Sequence, residues 1–253
     1  MATEEASSSS PPLHGNPPPP PSTDIAASAS SAIDFLTLCH RLKTTKRTGW
    51  VQRRVKDPES IADHMYRMGI MALISSDIPG VNRDKCIKMA IVHDIAEAIV
   101  GDITPYDGIS KSEKLRREQE ALDHMCKLLG GGSRAQEISE LWMDYENNSS
   151  PEAKIVKDLD KVEMILQALE YENELLKSTT KRLTRQRGGK RNELVDSLDQ
   201  DMETKKEQGK DLDEFFQSTA GKFQTELGRA WASEIVSRRS SVNDSATPKI
   251  SEN

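Results

Sequence analysis

Apolar residues recur through the middle of the chain with the three- and four-residue spacing of amphipathic helices. The strongest pattern lies in residues 88–102, which contain no proline and have glycine only near their end. Four of its apolar positions follow the i, i+3, i+4, i+7 rule, namely Val92, Ile95, Ala96 and Ile99. Further apolar residues lie around the rest of this segment, so we predict one buried helix over residues 83–100.

Similar stripes predict helices on both sides of this central one. We place them from about residue 32, from Pro58, over 111–129, over 135–146, from Pro151 to about Leu176, and over 212–237. Ser60 and Asp63 resemble a capping box at the start of the second of these helices. Residues 46–55 contain a glycine and lack a helical pattern, so they predict a loop or a short extended piece. No stretch alternates convincingly with period two, and the predicted class is all-α.

The helical pattern fades at both ends of the chain and once inside it. Residues 1–31 are rich in Ser, Pro and Ala and cannot build a core, so they predict a disordered tail. One helical domain is expected over residues 32–238. Within it, residues 178–210 are dense in charged side chains and predict a disordered insertion. The polar residues 239–253 predict a second disordered tail.

The composition and charge of the chain argue against nucleic-acid binding and against a membrane protein. A net charge of −6, with 30% charged residues, does not favour nucleic-acid binding, which usually needs a basic surface. No apolar run approaches the ~18 residues that span a bilayer, so we expect no membrane partner. Three widely spaced cysteines suit buried thiols in a reducing compartment. A transit peptide would be richer in arginine and poorer in acid than residues 1–31, so we expect a cytoplasmic protein.

The predicted central helix carries polar side chains that its apolar surroundings do not explain. His93 and Glu97 are one turn apart and share a face, Asp94 follows His93, and Asp102 lies just beyond the helix end. A buried charge must be paired or bound to a metal. From this segment alone, a metal site and a satisfied His–Asp core pair carry equal weight.

Two other positions could complete a metal site. His64 lies in the first turn of the preceding helix, and two antiparallel helices would bring it near His93. Asp160 has apolar residues one turn away on both sides, so its carboxylate needs either a cation or a salt bridge to an arginine. Asp158, by contrast, has lysines at ion-pair spacing and predicts a solvated face. Two imidazoles with carboxylates suit Mn, Fe, Co, Ni or Zn better than Ca.

The order His64, His93, Asp94, Asp160 resembles the H…HD…D signature of the HD-domain metal phosphohydrolases. Longer strings resemble the 5′-deoxynucleotidase branch of that family, and they are RTGWV at 47–51, PESIADHMYR at 58–67, VHDIAEAIVGD at 92–102, EMILQA at 163–168 and STAGKF at 218–223. The resemblance covers about residues 32–177 and 211–238.

This resemblance implies an HD-domain helical bundle, usually a homodimer, whose substrate is a deoxyribonucleoside 5′-monophosphate. It also implies a divalent metal, which we expect to be Mn, Co or Mg. The motif positions that fall on the metal ligands are His64, His93, Asp94 and Asp160. Glu97 and Asp102 fall on the family's acidic pair, described as catalytic or as ligands of a second metal.

Arg47 falls near the phosphate-binding arginine of the family. In the bacterial enzymes that arginine is followed directly by a tryptophan that helps to exclude the ribose 2′-hydroxyl, whereas Thr48 and Gly49 separate Arg47 from Trp50. Sugar selectivity therefore stays open. Trp50 lines the substrate pocket or packs in the core, with equal weight for the two.

The expected reaction is phosphate monoester hydrolysis by attack of metal-bound water. Glu97 accepts the proton of that water or orients the water, and Arg47 binds the phosphoryl oxygens. Two alternatives stay inside the same fold: an HD-type phosphodiesterase or a (p)ppGpp-type hydrolase. A third is a non-catalytic nucleotide-binding protein. The basic run at 181–191 lacks aromatic residues for base stacking, so it does not favour RNA binding.

Overall fold

The computed structural model describes residues 23–186 and 212–246. Its first helices are α1 (Thr23–Thr44), α2 (Thr48–Gln52), α3 (Ile61–Ile74), α4 (Arg83–Val92) and α5 (Glu97–Val100). A 3₁₀ turn at Pro105–Asp107 leads to α6 (Lys111–Leu128), α7 (Gly132–Asn147), α8 (Pro151–Gln186), α9 (212–219) and α10 (Glu226–Ala246). Within the described residues there is no β-strand, and the predicted all-α class is confirmed.

The long helix α8 forms the axis of a helical bundle. It packs against α3, α4, α7 and α10, while α1 packs against α3, α5 and α6. One continuous apolar core joins these helices, and its fully buried members include Ile61, Met68, Met89, Leu122 and Leu159. Burying one such side chain stabilises the fold by about 1.5–3 kcal/mol. None of the helices in the described part of the chain has the length and apolar character needed to cross a bilayer.

A capping box fixes the start of α3, as the sequence predicts. The Ser60 hydroxyl accepts the Asp63 amide at 3.1 Å, and the Asp63 carboxylate accepts the Ser60 amide at 2.8 Å. Two amides that the first helical turn would leave unpaired are thereby satisfied. This cap sets where the first turn begins, and it therefore sets the position of His64, which the turn carries into the core.

The prediction of one continuous helix over residues 83–100 is wrong. α4 ends at Val92, and residues 93–96 form tight turns before α5 begins. In this stretch the amides of Ile95, Glu97 and Ala98 each donate to the carbonyl three residues earlier. That pattern winds the chain more tightly than an α-helix. Full burial was also wrong, because Ile91 is 52% exposed and Ile99 is 36% exposed.

Two further predictions about elements are corrected. Residues 46–55 were predicted as a loop or extended piece, but they contain the short helix α2. Residues 212–237 were predicted as one helix, but α9 and α10 are separated by a turn at 220–225.

The described helices also extend into segments predicted to be disordered. α1 begins at Thr23, α10 continues to Ala246, and α8 continues to Gln186. The remainder of the predicted tails and insertion, residues 1–22, 187–211 and 247–253, lies outside the described residues.

Asp158 does not lie on a solvated face as predicted. It is only 1% exposed, and its carboxylate accepts the backbone amides of Gln224 at 2.8 Å and Thr225 at 2.7 Å. A carboxylate on these amides caps the start of α10 and complements the positive end of its dipole. Asp158 is thus a buried residue of α8 that fixes the start of α10 by hydrogen bonds.

Candidate metal centre and substrate cleft

Separate segments of the bundle bring the predicted site residues to one cleft. The cleft has a volume of about 600 Å³. Predicted site residues in its wall are Arg47 and Trp50 at α2, His93 and Asp94 after α4, Glu97 on α5, Asp102 in the next loop, and Asp160 on α8. His64, from the first turn of α3, is fully buried and lies 3.3 Å from Asp160. All of the predicted site residues therefore line this cleft or, in the case of His64, contact a residue that does.

Each of the two imidazoles is oriented through its Nδ1 atom. His64 Nδ1 donates to Glu163 Oε2 at 2.6 Å, and His93 Nδ1 donates to the carbonyl of Ala90 at 3.0 Å. Nε2 of each ring is buried and has no hydrogen-bond partner within the described residues. An imidazole held in this way presents its Nε2 lone pair to a metal.

The spacing of the donor atoms fits a divalent metal. His93 Nε2 lies 3.2 Å from Asp94 Oδ2, and His64 Nε2 lies 3.8 Å from that oxygen and 3.3 Å from Asp160 Oδ1. Ligand atoms bound about 2.1 Å from one ion are separated by roughly 3–3.5 Å. His64, His93 and Asp94 also offer ligand atoms that all lie within 4.8 Å of one another. The two orphaned nitrogens and the neighbouring carboxylates are a suitable donor set.

The local charges keep the carboxylates of this centre ionised. Burial alone would raise the pKa of Asp94, but His93, Arg47 and His64 together lower it well below its usual range. The pKa of Asp160 is likewise lowered, against its burial, by its close contact with His64. Burial and Arg47 lower the pKa of His64, but Glu163 and Asp160 raise it overall to about 10. A metal that binds His64 must therefore displace a proton.

Glu97 has the properties of a proton acceptor. Its side chain is buried, and Oε2 has no hydrogen-bond partner among the described residues. Burial, with added repulsion from Asp94 and Asp102, raises the pKa of Glu97 well above its usual value. A carboxyl group with a raised pKa at the edge of a cleft is suited to general acid–base chemistry.

Asp102 is tied to the start of α2. Its Oδ2 accepts the amide of Thr48 at 2.6 Å, and its carbonyl accepts the Thr48 hydroxyl at 2.7 Å. These contacts join the loop after α5 to the residue that follows Arg47. Sequence reasoning treated Thr48 only as a spacer, and nothing local in the sequence signals a contact across 54 positions.

Arg47 bridges the two carboxylates of the candidate centre. Its Nη1 donates to Asp94 Oδ2 at 3.0 Å, and its Nη2 lies 4.0 Å from Asp160 Oδ1. The predicted arginine partner of Asp160 is thus Arg47, and the same Oδ1 also faces the imidazole of His64. The other oxygen of Asp160 accepts the hydroxyl of Tyr145 at 2.8 Å.

Trp50 both packs in the core and lines the cleft. It is 2% exposed, and its ring lies 4.3 Å from that of Phe215 and 5.3 Å from that of Tyr171, measured between centroids. Its Nε1 donates to Glu59 Oε1 at 2.8 Å. Trp50 thus contacts Phe215, Tyr171 and Glu59 and also lines the cleft.

Sequence reasoning missed several residues of the cleft wall. They are Tyr106, Lys111, Lys114, Glu118, Tyr145, Lys157 and Phe215. Only Lys157 had a usable signal, since it lies one helical turn before Asp160 on α8. Tyr106 lies in the 3₁₀ turn, and the others reach the cleft through the packing of α6, α7 and α9 against the rest of the bundle.

A protein-family model described as HD domain matches residues 39–202. The all-α fold, the His–Asp centre and this match define an HD-domain protein. The chain belongs to the HD-domain family and, within it, to the group of the HDDC2 proteins. The family implies a divalent metal, and the residues described above fit one.

Similar proteins cover most of the domain. The 5′-deoxynucleotidase HDDC2 of Danio rerio is 56% identical over 140 residues, which are 55% of this chain and 69% of that protein. The 5′-deoxynucleotidase HDDC2 of Xenopus laevis is 40% identical over 228 residues, or 90% of this chain and 94% of that one. Among solved structures, the PH0347 protein from Pyrococcus horikoshii OT3 is 29% identical with a TM-score of 0.55, covering 83% of this chain and 99% of its own.

Proposed function

We propose that this chain is a 5′-deoxynucleotidase, which hydrolyses deoxyribonucleoside 5′-monophosphates to deoxyribonucleosides and phosphate. The observation that carries the proposal is the pair of buried Nε2 atoms of His64 and His93, which have no hydrogen-bond partner in the described part of the chain and lie beside carboxylates in an open cleft. The proposal is supported by relatives that bear this name and match this chain over most of their own length.

The metal would be held by His64, His93, Asp94 and Asp160, and we propose Mn, Co or Mg as the ion. When bound, the ion supplies positive charge that polarises a phosphoryl oxygen and lowers the pKa of a nearby water. Glu97 and Asp102 form the acidic pair beside this centre. They act in catalysis or hold a second ion, and the Oε2 atom of Glu97, which has no partner among the described residues, suits either role.

Four side chains of the cleft have separate roles in the proposed hydrolysis. Arg47 donates hydrogen bonds from its guanidinium group to the phosphoryl oxygens of the substrate. Glu97 takes a proton from the attacking water as the new P–O bond forms. The bond to the 5′-oxygen breaks, and Glu97 returns the proton to that oxygen, which leaves as the hydroxyl of the deoxynucleoside. Asp102 keeps α2, and with it Arg47, at the correct distance through Thr48. Trp50 supports the same helix and forms part of the wall.

Two further proposals rest on the family resemblance. The chain is a homodimer, which sedimentation velocity of the purified protein tests against a monomer. Its location is the cytoplasm, which fractionation of cells that express the chain tests against an organelle.

Glu97→Gln tests the function most directly, because the amide keeps the size of the side chain but takes up no proton. We expect phosphate release from deoxyribonucleoside 5′-monophosphates to fall about 10²–10⁴-fold, the usual contribution of a general base. Metal content should stay at the wild-type level, since His64, His93, Asp94 and Asp160 are unchanged. The assay is phosphate release with Mn, Co and Mg.

The substrate panel should contain deoxyribo- and ribonucleoside monophosphates, a cyclic phosphodiester and (p)ppGpp. Wild-type protein that releases phosphate from no monophosphate with any of the three ions would refute the proposed function. A rate in Glu97→Gln equal to the wild type at low metal would refute the role of Glu97 alone. Partial recovery of that variant at high metal would instead assign Glu97 to a second ion.

A further inference from the structure

The cleft presents an electrostatic problem for an anionic substrate. Eight acidic residues in the described part of the chain line it, and four of them are the predicted site residues Asp94, Glu97, Asp102 and Asp160. Arg47 already makes its closest contacts with two of them. A phosphate monoester brings up to two further negative charges, so a cation whose hydrogen bonds are not already used would strengthen its binding beside the metal.

Lys157 is a cation of this kind. It lies on α8 one turn before Asp160, and its side chain lines the cleft while remaining only 25% exposed. Its Nζ lies 3.8 Å from the centroid of the Tyr145 ring. Among the described residues, the one carboxylate oxygen within 4.0 Å is Glu146 Oε1, at 4.0 Å, which is beyond hydrogen-bonding distance. A largely buried ammonium group with three donors thus lacks an acceptor from the described residues.

The other cations in the cleft wall are engaged or exposed. Lys114 Nζ donates to the carbonyl of Ile103 at 3.0 Å and lies 3.4 Å from Glu118. Arg53 is paired with Glu214 at 2.6 Å. Lys111 is exposed at the start of α6. Burial lowers the pKa of Lys157, which agrees with an ammonium group whose charge the protein alone does not fully stabilise.

We propose that Lys157 is a substrate-binding residue that donates hydrogen bonds to the phosphoryl group, alongside Arg47. The amine of Lys157 lies over the ring of Tyr145, and the hydroxyl of the same tyrosine donates to Asp160. Tyr145 therefore positions the phosphate-binding cation relative to a carboxylate of the candidate metal centre. This inference rests on the proposed function and adds the residue that recognises the phosphate.

The test compares Lys157→Gln with Lys154→Gln in the metal-loaded protein. Lys154 is exposed one turn earlier on the same helix, so both variants lose one positive charge. Titration calorimetry with inorganic phosphate measures binding without turnover. We expect the Kd for phosphate and the KM for the monophosphate to rise about 10- to 100-fold in Lys157→Gln only, the usual worth of a hydrogen bond to a charged group. Inhibition by the uncharged deoxynucleoside should not change.

Lys157→Met separates recognition from packing, because it keeps an unbranched apolar side chain against Tyr145 while removing the charge. It should lose phosphate affinity as Lys157→Gln does, with an unfolding temperature equal to that of the control. An unchanged phosphate Kd in both variants would overturn the proposal. Equal losses for phosphate and deoxynucleoside would also overturn it, in favour of a structural role. Wild-type protein that binds phosphate but hydrolyses no monophosphate would refute the proposed function instead.

Discussion

At the scale of single residues, Glu163 decides how His64 is presented. It is 1% exposed and accepts His64 Nδ1 at 2.6 Å, while Arg67 Nε donates to its other oxygen at 2.8 Å. Burial would raise the pKa of Glu163, but His64 and Arg67 lower it, so the carboxylate stays ionised. An ionised partner on Nδ1 fixes the tautomer and makes Nε2 a better metal ligand.

Glu163→Gln should therefore weaken metal binding while leaving the fold intact. We expect the Kd for Mn or Co to rise about 10- to 100-fold, the usual effect of losing such a supporting carboxylate. Titration of the metal-free protein measures it. Glu170→Gln is the matched control, because Glu170 bonds the same Arg67 at 2.6 Å but does not bond His64. Equal affinities in the two variants would contradict this role of Glu163.

At the scale of elements, α10 is docked on α8 by an unusually close approach. Asp158 caps the start of α10, and Gly228 lies in its first turn directly over that carboxylate. A Cβ atom at Gly228 would lie 2.6 Å from Asp158 Oδ2 and 2.7 Å from Asp158 Cβ. Only a residue without a side chain fits between the two helices here.

Gly228→Ala should consequently destabilise the protein although alanine favours helices. We expect a loss of about 1–3 kcal/mol in the free energy of unfolding, the usual cost of overpacking, measured by urea denaturation. Gly69→Ala on α3 is the control, because its Cβ would meet Ile91 Cγ1 at an ordinary 3.6 Å. The control should be neutral or more stable by up to about 1 kcal/mol. Similar losses at both positions would argue against the Asp158 contact as the cause.

At the scale of the whole molecule, the candidate centre joins segments that are far apart in the chain. Arg47, His64, Asp94 and Asp160 belong to different helices or turns. Beside them, burial and the charges of Asp94 and Asp102 disfavour the ionised form of Glu97. A ligand that binds only the folded state stabilises it according to its concentration and affinity. Metal binding should therefore stabilise the bundle as a unit.

Chelation should lower the unfolding temperature, and added Mn, Co or Mg should restore it. At a free metal concentration of about 100 times its Kd, the expected stabilisation is roughly 2.7 kcal/mol. Differential scanning calorimetry with and without chelator measures the shift. His93→Ala should show little response to the chelator, because a central ligand is gone. A chelator response in that variant equal to the wild type would place the metal elsewhere.

Features with a clear local sequence signal were predicted correctly, and features whose local signal is absent or misleading were not. Ser60 and Asp63 were identified as a capping box because both bonds close within one helical turn. The break after Val92 was not predicted, because the sequence has no proline or glycine there and the turns are made by tighter local bonds. Asp158 was misplaced because its lysine neighbours gave a solvated pattern, whereas its amide partners lie more than sixty positions away.

The sequence by itself determined the all-α class, the amphipathic helices and the identity of the candidate metal ligands. The class and the helices depend on spacing within single segments, which is local. The candidate ligands were named from side-chain chemistry and from the order of motifs that resembles the HD-domain family. Only the tertiary structure decided that Thr48 holds Asp102, that Trp50 is both buried and in the cleft wall, and that Lys157 has no acceptor among the described residues. These are contacts between helices, and their geometry follows from how the whole bundle packs around α8 rather than from any local pattern.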